Sequence, residues 1–269
     1  MTAPEVEFLR GLQRKYPPGD PVALTLLRAH ATSIVTAARA LTAHPPEMPL
    51  LVTLPTGAVN AYTCLVPGAT RLVVVFDQDM LFFGDLFAGA LALWVAPRDE
   101  GGDAEEAHTW LLKGILMDLV AGHMTTSRPR ELSGPVRTYA AQLYSSLQLF
   151  VVGHEFGHIM AGHLTSAPRR RTPLTNEADV LCWEHREEHE ADVLGARLAT
   201  RAMLTDGVHP VMAYAGTFLF CLWVPRTSST SCDQAVFVDH AADARVSSDT
   251  VLLKIDWFGQ RFQRRSRVQ

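Results

Sequence analysis

The sequence predicts an α+β fold that is mainly helical, with a small β-sheet ahead of a long helix. Apolar residues recur at helical spacing over most of the chain, and the period changes to short Val-, Leu- and Thr-rich runs only between residues 50 and 76. The composition is 48% hydrophobic and 19% charged, which is enough apolar surface for a core and excludes a mainly disordered chain.

The elements follow in order along the chain. A first helix is predicted over residues 21–44, because its apolar periodicity ends at two consecutive prolines. Three short runs separated by Pro and Gly predict strands at 50–54, 59–66 and 71–76. Helical patterning then returns at 80–96, 109–123, 135–163 and 182–204, and the apolar stretch after residue 210 predicts a buried helix. Residues 165–178 are polar and contain prolines, which predicts a loop.

Charge and hydropathy exclude several classes of protein. The net charge of −4 and the pI of about 6.2 do not indicate a nucleic-acid partner. The first residues lack the pattern of a signal peptide, and the longest apolar run is too short for the ~20 residues of a membrane span. The four cysteines form no CxxC pair, which indicates reduced thiols. We therefore expect a soluble, cytoplasmic protein with no integral membrane segment; the oligomeric state stays open.

The main candidates for metal-binding and catalytic residues lie in one HExxH motif, formed by His154-Glu155-Phe156-Gly157-His158. On a helix the two histidines are i and i+4 and emerge from one face, so both rings can bind one Zn²⁺. Glu155 lies ~100° around the helix from His154, where it can take a proton from water without being a ligand. The motif is expected by chance in roughly 2% of shuffled sequences of this composition. Its sequence context must therefore decide whether it marks a metal site.

A catalytic zinc site needs a third protein ligand. The metzincin class is disfavoured, because Ala161 and Leu164 stand where its pattern has glycine and histidine. His163 lies ~140° around the helix from His158 and is interpreted as a helix cap or as a group that supports a ligand. On the helix at 182–204, Glu188 and Asp192 share a face; Glu188 could be the third ligand while Asp192 accepts the other ring N–H of a ligating histidine.

The acidic residues around this pair leave alternatives open. Glu184, Glu187 and Glu190 lie on the same predicted helix and compete with Glu188 for the ligand role. Most of these carboxylates are expected to form a solvated face. The tract Arg169-Arg170-Arg171 lies in the loop between the two helices, as part of a solvated loop, a lid, an autocleavage site or a docking site.

The run HEFGHIMAGHL followed by EHEADVLGARLA resembles the gluzincin zinc metallopeptidases of the CAAX-prenyl-protease and HtpX-like family. The segment from Asn60-Ala61-Tyr62 to Asp79-Met80-Leu81 is similar to the element that precedes the zinc helix in that family. Some likeness to the phage-exclusion peptidase Lit, a cytoplasmic bacterial zinc protease, is also present. The resemblance implies a zincin-like fold, one Zn²⁺ per chain, the HExxH–ExxxD ligand arrangement, and an edge strand near residue 60 that lines the substrate groove.

The same resemblance implies further site residues. His240 and Arg245 approximate the family's His-Pro…Arg element and would stabilise the oxyanion, with His209 and Tyr214 as rival candidates. The implied function is a soluble zinc-dependent endopeptidase that cleaves an intracellular protein, with a regulatory or phage-defence role. The alternative is a catalytically silent, zinc-stabilised binding module on the same framework.

The candidate ligands also bear on domain organisation. Residues 154, 158 and 188 and the strand near residue 60 must meet at one site, so we expect a single domain over residues 1–269. Residues 1–48 form an N-terminal helical elaboration, residues 49–225 the core with the sheet and both ligand helices, and residues 226–269 a C-terminal segment.

Overall fold

The structure is a computed structural model and describes residues 1–55, 61–66, 68–69, 71–98, 101–103, 105–107, 109, 131–132, 134–163, 171–175, 178–181 and 185–223. Its helices are α1 (Ala3–Lys15), α2 (Pro21–Arg39), α3 (Gln78–Val95), α4 (Gly134–Met160), α5 (His185–Thr205) and α6 (Pro210–Trp223). Its strands are β1 (Leu50–Leu54), β2 (Ala61–Leu65), β3 (Val73–Asp77), β4 (Arg171–Thr175) and β5 (Ala178–Leu181). The predicted mainly helical α+β fold with a small sheet is confirmed.

The strands form one sheet with the order β1-β3-β2-β5-β4. β1 runs parallel to β3, while β2 is antiparallel to both β3 and β5. β3 is buried along its whole length, since its side chains alternate between two cores. Val73 and Val75 pack toward α1, whereas Val74 and Phe76 belong to the core built with α2, α4 and α5.

The same alternation places β2 between α1 and α4. Tyr62 and Cys64 pack with the α1 side chains on one face of the sheet. Thr63 therefore points to the opposite face, where its hydroxyl contacts Glu155 on α4. Strand β2 thus brings one polar side chain from the sheet to the HExxH motif.

Helix α1 was not predicted from the sequence. Its Phe8 and Leu12 are fully buried against the sheet. Its first turn is closed by Glu5, whose carboxylate accepts the backbone N–H of Thr2 at 2.9 Å. The same carboxylate pairs with Arg71 at 3.2 Å, which fastens the helix to the segment before β3.

Helix α2 begins as predicted at Pro21, where the Asp20 side chain accepts the backbone N–H of Val22 at 2.8 Å. It ends at Arg39, earlier than the predicted residue 44. Helix α3 follows β3 directly. The 27-residue α4 lies at the centre, with α2, α3, α5 and α6 all packed against it. In the part of the chain that the structure describes, no helix is long and apolar enough to span a membrane.

The structure corrects the loop predicted at residues 165–178, because this segment contains β4 and the start of β5. These strands lack an apolar alternation, but β5 extends the sheet by pairing with β2 at Cys64 and Leu65. The edge strand expected near residue 60 falls in the other half of β2. Over residues 61–63, β2 pairs with β3 alone among the described strands.

Several expectations fall outside the described residues. These are residues 110–123 of the helix predicted at 109–123, residue Asn60, Arg169 and Arg170, Glu184, and the C-terminal segment 226–269 with His240 and Arg245.

Candidate metal centre

The two histidines of the HExxH motif lie on one face of α4, as the i, i+4 spacing predicts. Their Nε2 atoms are 3.1 Å apart, and the rings meet edge to face with centroids 4.8 Å apart. The His158 side chain is fully buried, and that of His154 is 11% exposed. The surrounding apolar part of α4, which includes Phe150 and Phe156, is buried and holds this stretch of helix in place.

Helix α5 brings Glu188 to the two histidines. Its Oε2 atom lies 3.2 Å from Nε2 of His154 and 3.7 Å from Nε2 of His158. One ligand atom from each of the three residues falls within 4.8 Å of the others, in an arrangement that could hold a metal ion. The structure therefore brings together the predicted ligand set, and it selects Glu188 from among the neighbouring acidic residues that it describes on α5.

Asp192 lies one turn further along α5 and contacts the outer nitrogen of His154. Its Oδ1 atom is 2.9 Å from Nδ1 of His154. Because an ionised carboxylate only accepts hydrogen bonds, the Nδ1–H of His154 donates to Asp192, and Nε2 is the nitrogen that faces Glu188 and His158. This is the role expected for Asp192 from the sequence.

Glu155, the remaining polar residue of the motif, is buried next to this cluster. Its side chain points away from bulk water, with the residue 5% exposed. The hydroxyl of Thr63 on β2 donates a short hydrogen bond to Oε2 of Glu155, and Thr63 is itself 1% exposed. The sheet therefore fixes one carboxylate oxygen of Glu155. Sequence reasoning missed Thr63, although the alternation of β2 was sufficient to place it on the face opposite Tyr62 and Cys64.

The electrostatics of the cluster favour a positive charge. Burial lowers the pKa of His154, but hydrogen bonds with Asp192 and Glu188 outweigh burial and raise that pKa to about 10. At His158 burial prevails and the pKa falls below its ordinary value. Burial raises the pKa of Glu188, yet its contacts with both histidines lower that pKa to about 2. The neighbouring carboxylates thus stabilise positive charge at His154.

Close backbone contact sets the distance between the two ligand helices. A Cβ atom built on Gly157, within HExxH, would lie 2.6 Å from the carbonyl oxygen of Ala191 on α5. A Cβ on Gly195 would lie 2.6 Å from the backbone nitrogen of His154. The absence of side chains at these glycines allows α4 and α5 to approach closely enough for Glu188 to reach the histidines.

The acidic residues near Glu188 have different positions. Glu190, interpreted from the sequence as a competitor for the ligand role, instead contacts His163, with Oε2 3.3 Å from Nε2 of that ring. Sequence patterning gave no signal for this pair, because the two residues lie on different elements. Glu187 belongs to the first turn of α5 and is not part of the three-residue cluster.

The rival oxyanion candidates both lie at α6. His209 is exposed, and its Nδ1 accepts the backbone N–H of Val211, which caps the start of that helix. Tyr214 is 61% exposed. Neither is part of the three-residue cluster.

The three-residue cluster could hold a cation, with the buried carboxylate of Glu155 beside it. It combines two imidazole nitrogens, one carboxylate oxygen, and a further buried carboxylate that is not in the ligand set. Comparisons with protein-family models, with curated proteins and with solved structures find no match to this chain. The geometry of this cluster is therefore the basis for assigning a function.

Proposed function

We propose that this chain is a zinc-dependent endopeptidase of the gluzincin type, which hydrolyses peptide bonds of an intracellular protein. One observation carries the proposal: His154, His158 and Glu188 converge from two helices while Glu155 lies buried beside them. Two histidines, one glutamate and an open fourth position form a known class of catalytic zinc site. The HExxH and ExxxD spacings of the sequence support the same class.

The distances fit the proposed ion. Two nitrogens bound at ~2.0–2.1 Å to a tetrahedral zinc ion are separated by about 3.3 Å. The separation of 3.1 Å between the Nε2 atoms of His154 and His158 is close to that value. The distances of 3.2 and 3.7 Å from Glu188 Oε2 to the two nitrogens lie on either side of it.

In this mechanism each residue has a separate task. His154, His158 and Glu188 hold the ion, and Asp192 keeps the proton of His154 on Nδ1. A zinc ion in such a site supplies Lewis acidity, which makes water more acidic and polarises a carbonyl group. Glu155 accepts the proton of the attacking water and returns it to the leaving amine. The hydrogen bond from Thr63 orients the Glu155 carboxylate for this transfer.

Other parts of the proposal rest on the family resemblance. These are the cytoplasmic location in a bacterium, a regulatory or phage-defence role, and oxyanion stabilisation by His240 and Arg245. The oxyanion role can be tested separately by substituting each of the two residues and measuring kcat at saturating substrate.

The proposal is tested with Glu155→Gln, which keeps the size of the side chain and removes the base. Metal analysis of purified protein is expected to find one equivalent of zinc per chain in the wild type and in this variant. In cells expressing either protein, proteome-wide mapping of new protein N-termini is expected to show cleavage by the wild type. Cleavage by the variant is expected to fall at least ~100-fold, the typical contribution of a general base.

Glu187→Gln is the matched control, because it removes one carboxylate near the site from a residue outside the ligand cluster. It should cleave like the wild type. Equal cleavage by wild type and Glu155→Gln would contradict the mechanism. Zinc in the wild type without any new N-termini would support the silent binding module, and less than one equivalent of zinc would contradict both functions.

A further inference from the structure

The outer nitrogen of His158 contacts a second histidine. Nδ1 of His158 lies 3.0 Å from Nδ1 of His163, and the other ring nitrogen of His163 lies 3.3 Å from Oε2 of Glu190 on α5. His163 is buried, with 5% of its surface exposed, and Glu190 is about half exposed. The three side chains therefore form a row that runs from the buried ligand cluster to the surface.

The end of α4 explains how His163 reaches this position. Gly162 has a φ of +72°, and its N–H donates to the carbonyl of Ile159. The N–H of His163 donates to the carbonyl of His158 at 3.1 Å. These two hydrogen bonds form a Schellman motif at the C-terminus of α4. In this motif the residue after the glycine, His163, folds back onto the residue five positions earlier, His158. The chain turn thus brings His163 onto His158, although helical continuation would place them ~140° apart.

The row has one proton arrangement that suits metal binding. If His158 binds through Nε2, its neutral ring carries the proton on Nδ1. That N–H donates to the lone pair on Nδ1 of His163. The proton of His163 is then on Nε2, from which it is donated to the carboxylate of Glu190. Each donor in the row therefore faces an acceptor.

We propose that His163 is a positioning residue, which holds His158 in its metal-binding tautomer and orientation, and that Glu190 in turn holds His163. This inference rests on the metal centre of the proposed function. The arrangement parallels the direct contact between Asp192 and His154. Helix α5 then contributes the third ligand, Glu188, and two further carboxylates. Asp192 supports His154 directly, and Glu190 supports His158 through His163.

The test measures metal binding rather than peptidase activity. Zinc affinity is determined by competition with a chromogenic chelator, and the visible spectrum of the Co²⁺-loaded protein reports ligand geometry. His163→Ala removes the acceptor and is expected to weaken zinc binding ~10–100-fold and to change the Co²⁺ spectrum. His163→Asn keeps an acceptor oxygen near the Nδ1 position and is expected to restore most of the affinity and the wild-type spectrum.

Two variants on α5 complete the test. Glu190→Gln keeps an acceptor for His163 but removes the charge, so a loss of only a few-fold is expected. Glu187→Gln removes the same charge one turn earlier on the helix and should bind zinc like the wild type. Circular dichroism of the metal-free proteins shows whether each variant is folded.

The inference is overturned if folded His163→Ala binds zinc as tightly as the wild type with an unchanged Co²⁺ spectrum. It is also overturned if His163→Asn is as weak as His163→Ala, since the loss then comes from missing ring packing. Both results leave the proposed peptidase intact, because that proposal is decided by zinc in the wild type and by Glu155→Gln. A wild type that binds no zinc contradicts both.

Discussion

Single hydrogen bonds decide which atoms of the HExxH motif face the centre of the candidate site. Asp192 accepts a hydrogen bond from Nδ1 of His154, and the hydroxyl of Thr63 donates one to Oε2 of Glu155. In a buried setting each of these contacts fixes a side-chain orientation at low entropic cost, since the packed surroundings leave few alternatives. These contacts therefore orient the side chains of His154 and Glu155 within the candidate site.

At this scale we predict that Thr63→Val lowers kcat about tenfold with unchanged zinc content. Valine keeps the shape of threonine but cannot donate to the Glu155 carboxylate, and hydrogen bonds to charged groups contribute ~1.5–3 kcal/mol. Steady-state kinetics on the identified substrate and metal analysis check this. Thr200→Val on α5 is the matched control, because the buried hydroxyl of Thr200 has no hydrogen-bond partner among the residues that the structure describes. Equal losses in both variants would show that the Thr63 contact has no special role.

Packing between helices decides whether the ligands meet. The sequence correctly indicated that His154 and His158 share one face of a helix and that Glu188 and Asp192 share a face of another. The separation of the two helices is set by Gly157 against the backbone of Ala191. Small residues at a helix crossing bury little side-chain surface, but they allow a short distance between the helices.

We predict that Gly157→Ala lowers both the melting temperature and the zinc affinity. The new methyl would lie 2.6 Å from the Ala191 carbonyl oxygen, and backbone shifts of this kind cost ~1–3 kcal/mol. Thermal melting and chelator competition measure the two effects. Gly84→Ala on α3 is the control, because its nearest neighbours are side-chain atoms, of Leu147 at 3.0 Å and of Tyr144 at 3.5 Å. Both substitutions gain up to ~1 kcal/mol of helix propensity. The explanation fails if the two variants melt alike.

Secondary structure was predictable where the pattern is local. The predicted strand at 50–54 coincides with β1, and α2 begins at the predicted proline because Asp20 caps it. Strands β4 and β5 were missed, since their residues show no apolar alternation and form strands only by pairing with β2 and with each other. A strand that forms mainly because it pairs with a neighbouring strand shows little β pattern in its own sequence.

On the scale of the whole molecule, α1 closes the face of the sheet opposite the candidate site. Phe8 and Leu12 cover β2 and β3 from that side. The buried carboxylate of Glu5 joins the helix to Arg71. Because β2 also supplies Thr63, the docking of α1 supports the strand that contacts Glu155.

The ion pair between Glu5 and Arg71 leads us to expect a stability that depends on pH. The carboxylate of Glu5 accepts hydrogen bonds from Arg71 and from the backbone N–H of Thr2, and these lower the pKa of Glu5 from 4.5 to about 2. A group whose pKa is lower in the folded state contributes stability above its unfolded pKa and loses it as pH falls toward the folded value. We therefore predict that Glu5→Gln is less stable than wild type at pH 7 and that the difference shrinks between pH 4.5 and 2.

Urea unfolding of both proteins across that pH range checks this prediction. Glu7→Gln is the control on the same helix, because Glu7 is about half exposed and its ion pairs with Arg10 and Arg14 lie at the surface. That variant should stay close to the wild type at every pH. A difference between wild type and Glu5→Gln that stays constant with pH would assign the effect to packing rather than to charge.

Features that repeat within one helix or strand could be predicted from the sequence. Helical periodicity placed His154 with His158 and Glu188 with Asp192, because residues four apart on a helix share a face whatever the rest of the chain does. Contacts between elements became apparent only in the folded chain: Thr63 with Glu155, Glu190 with His163, and the pairing of strands β4 and β5 with the sheet. These contacts depend on packing distances and on a turn at Gly162, which no local period encodes.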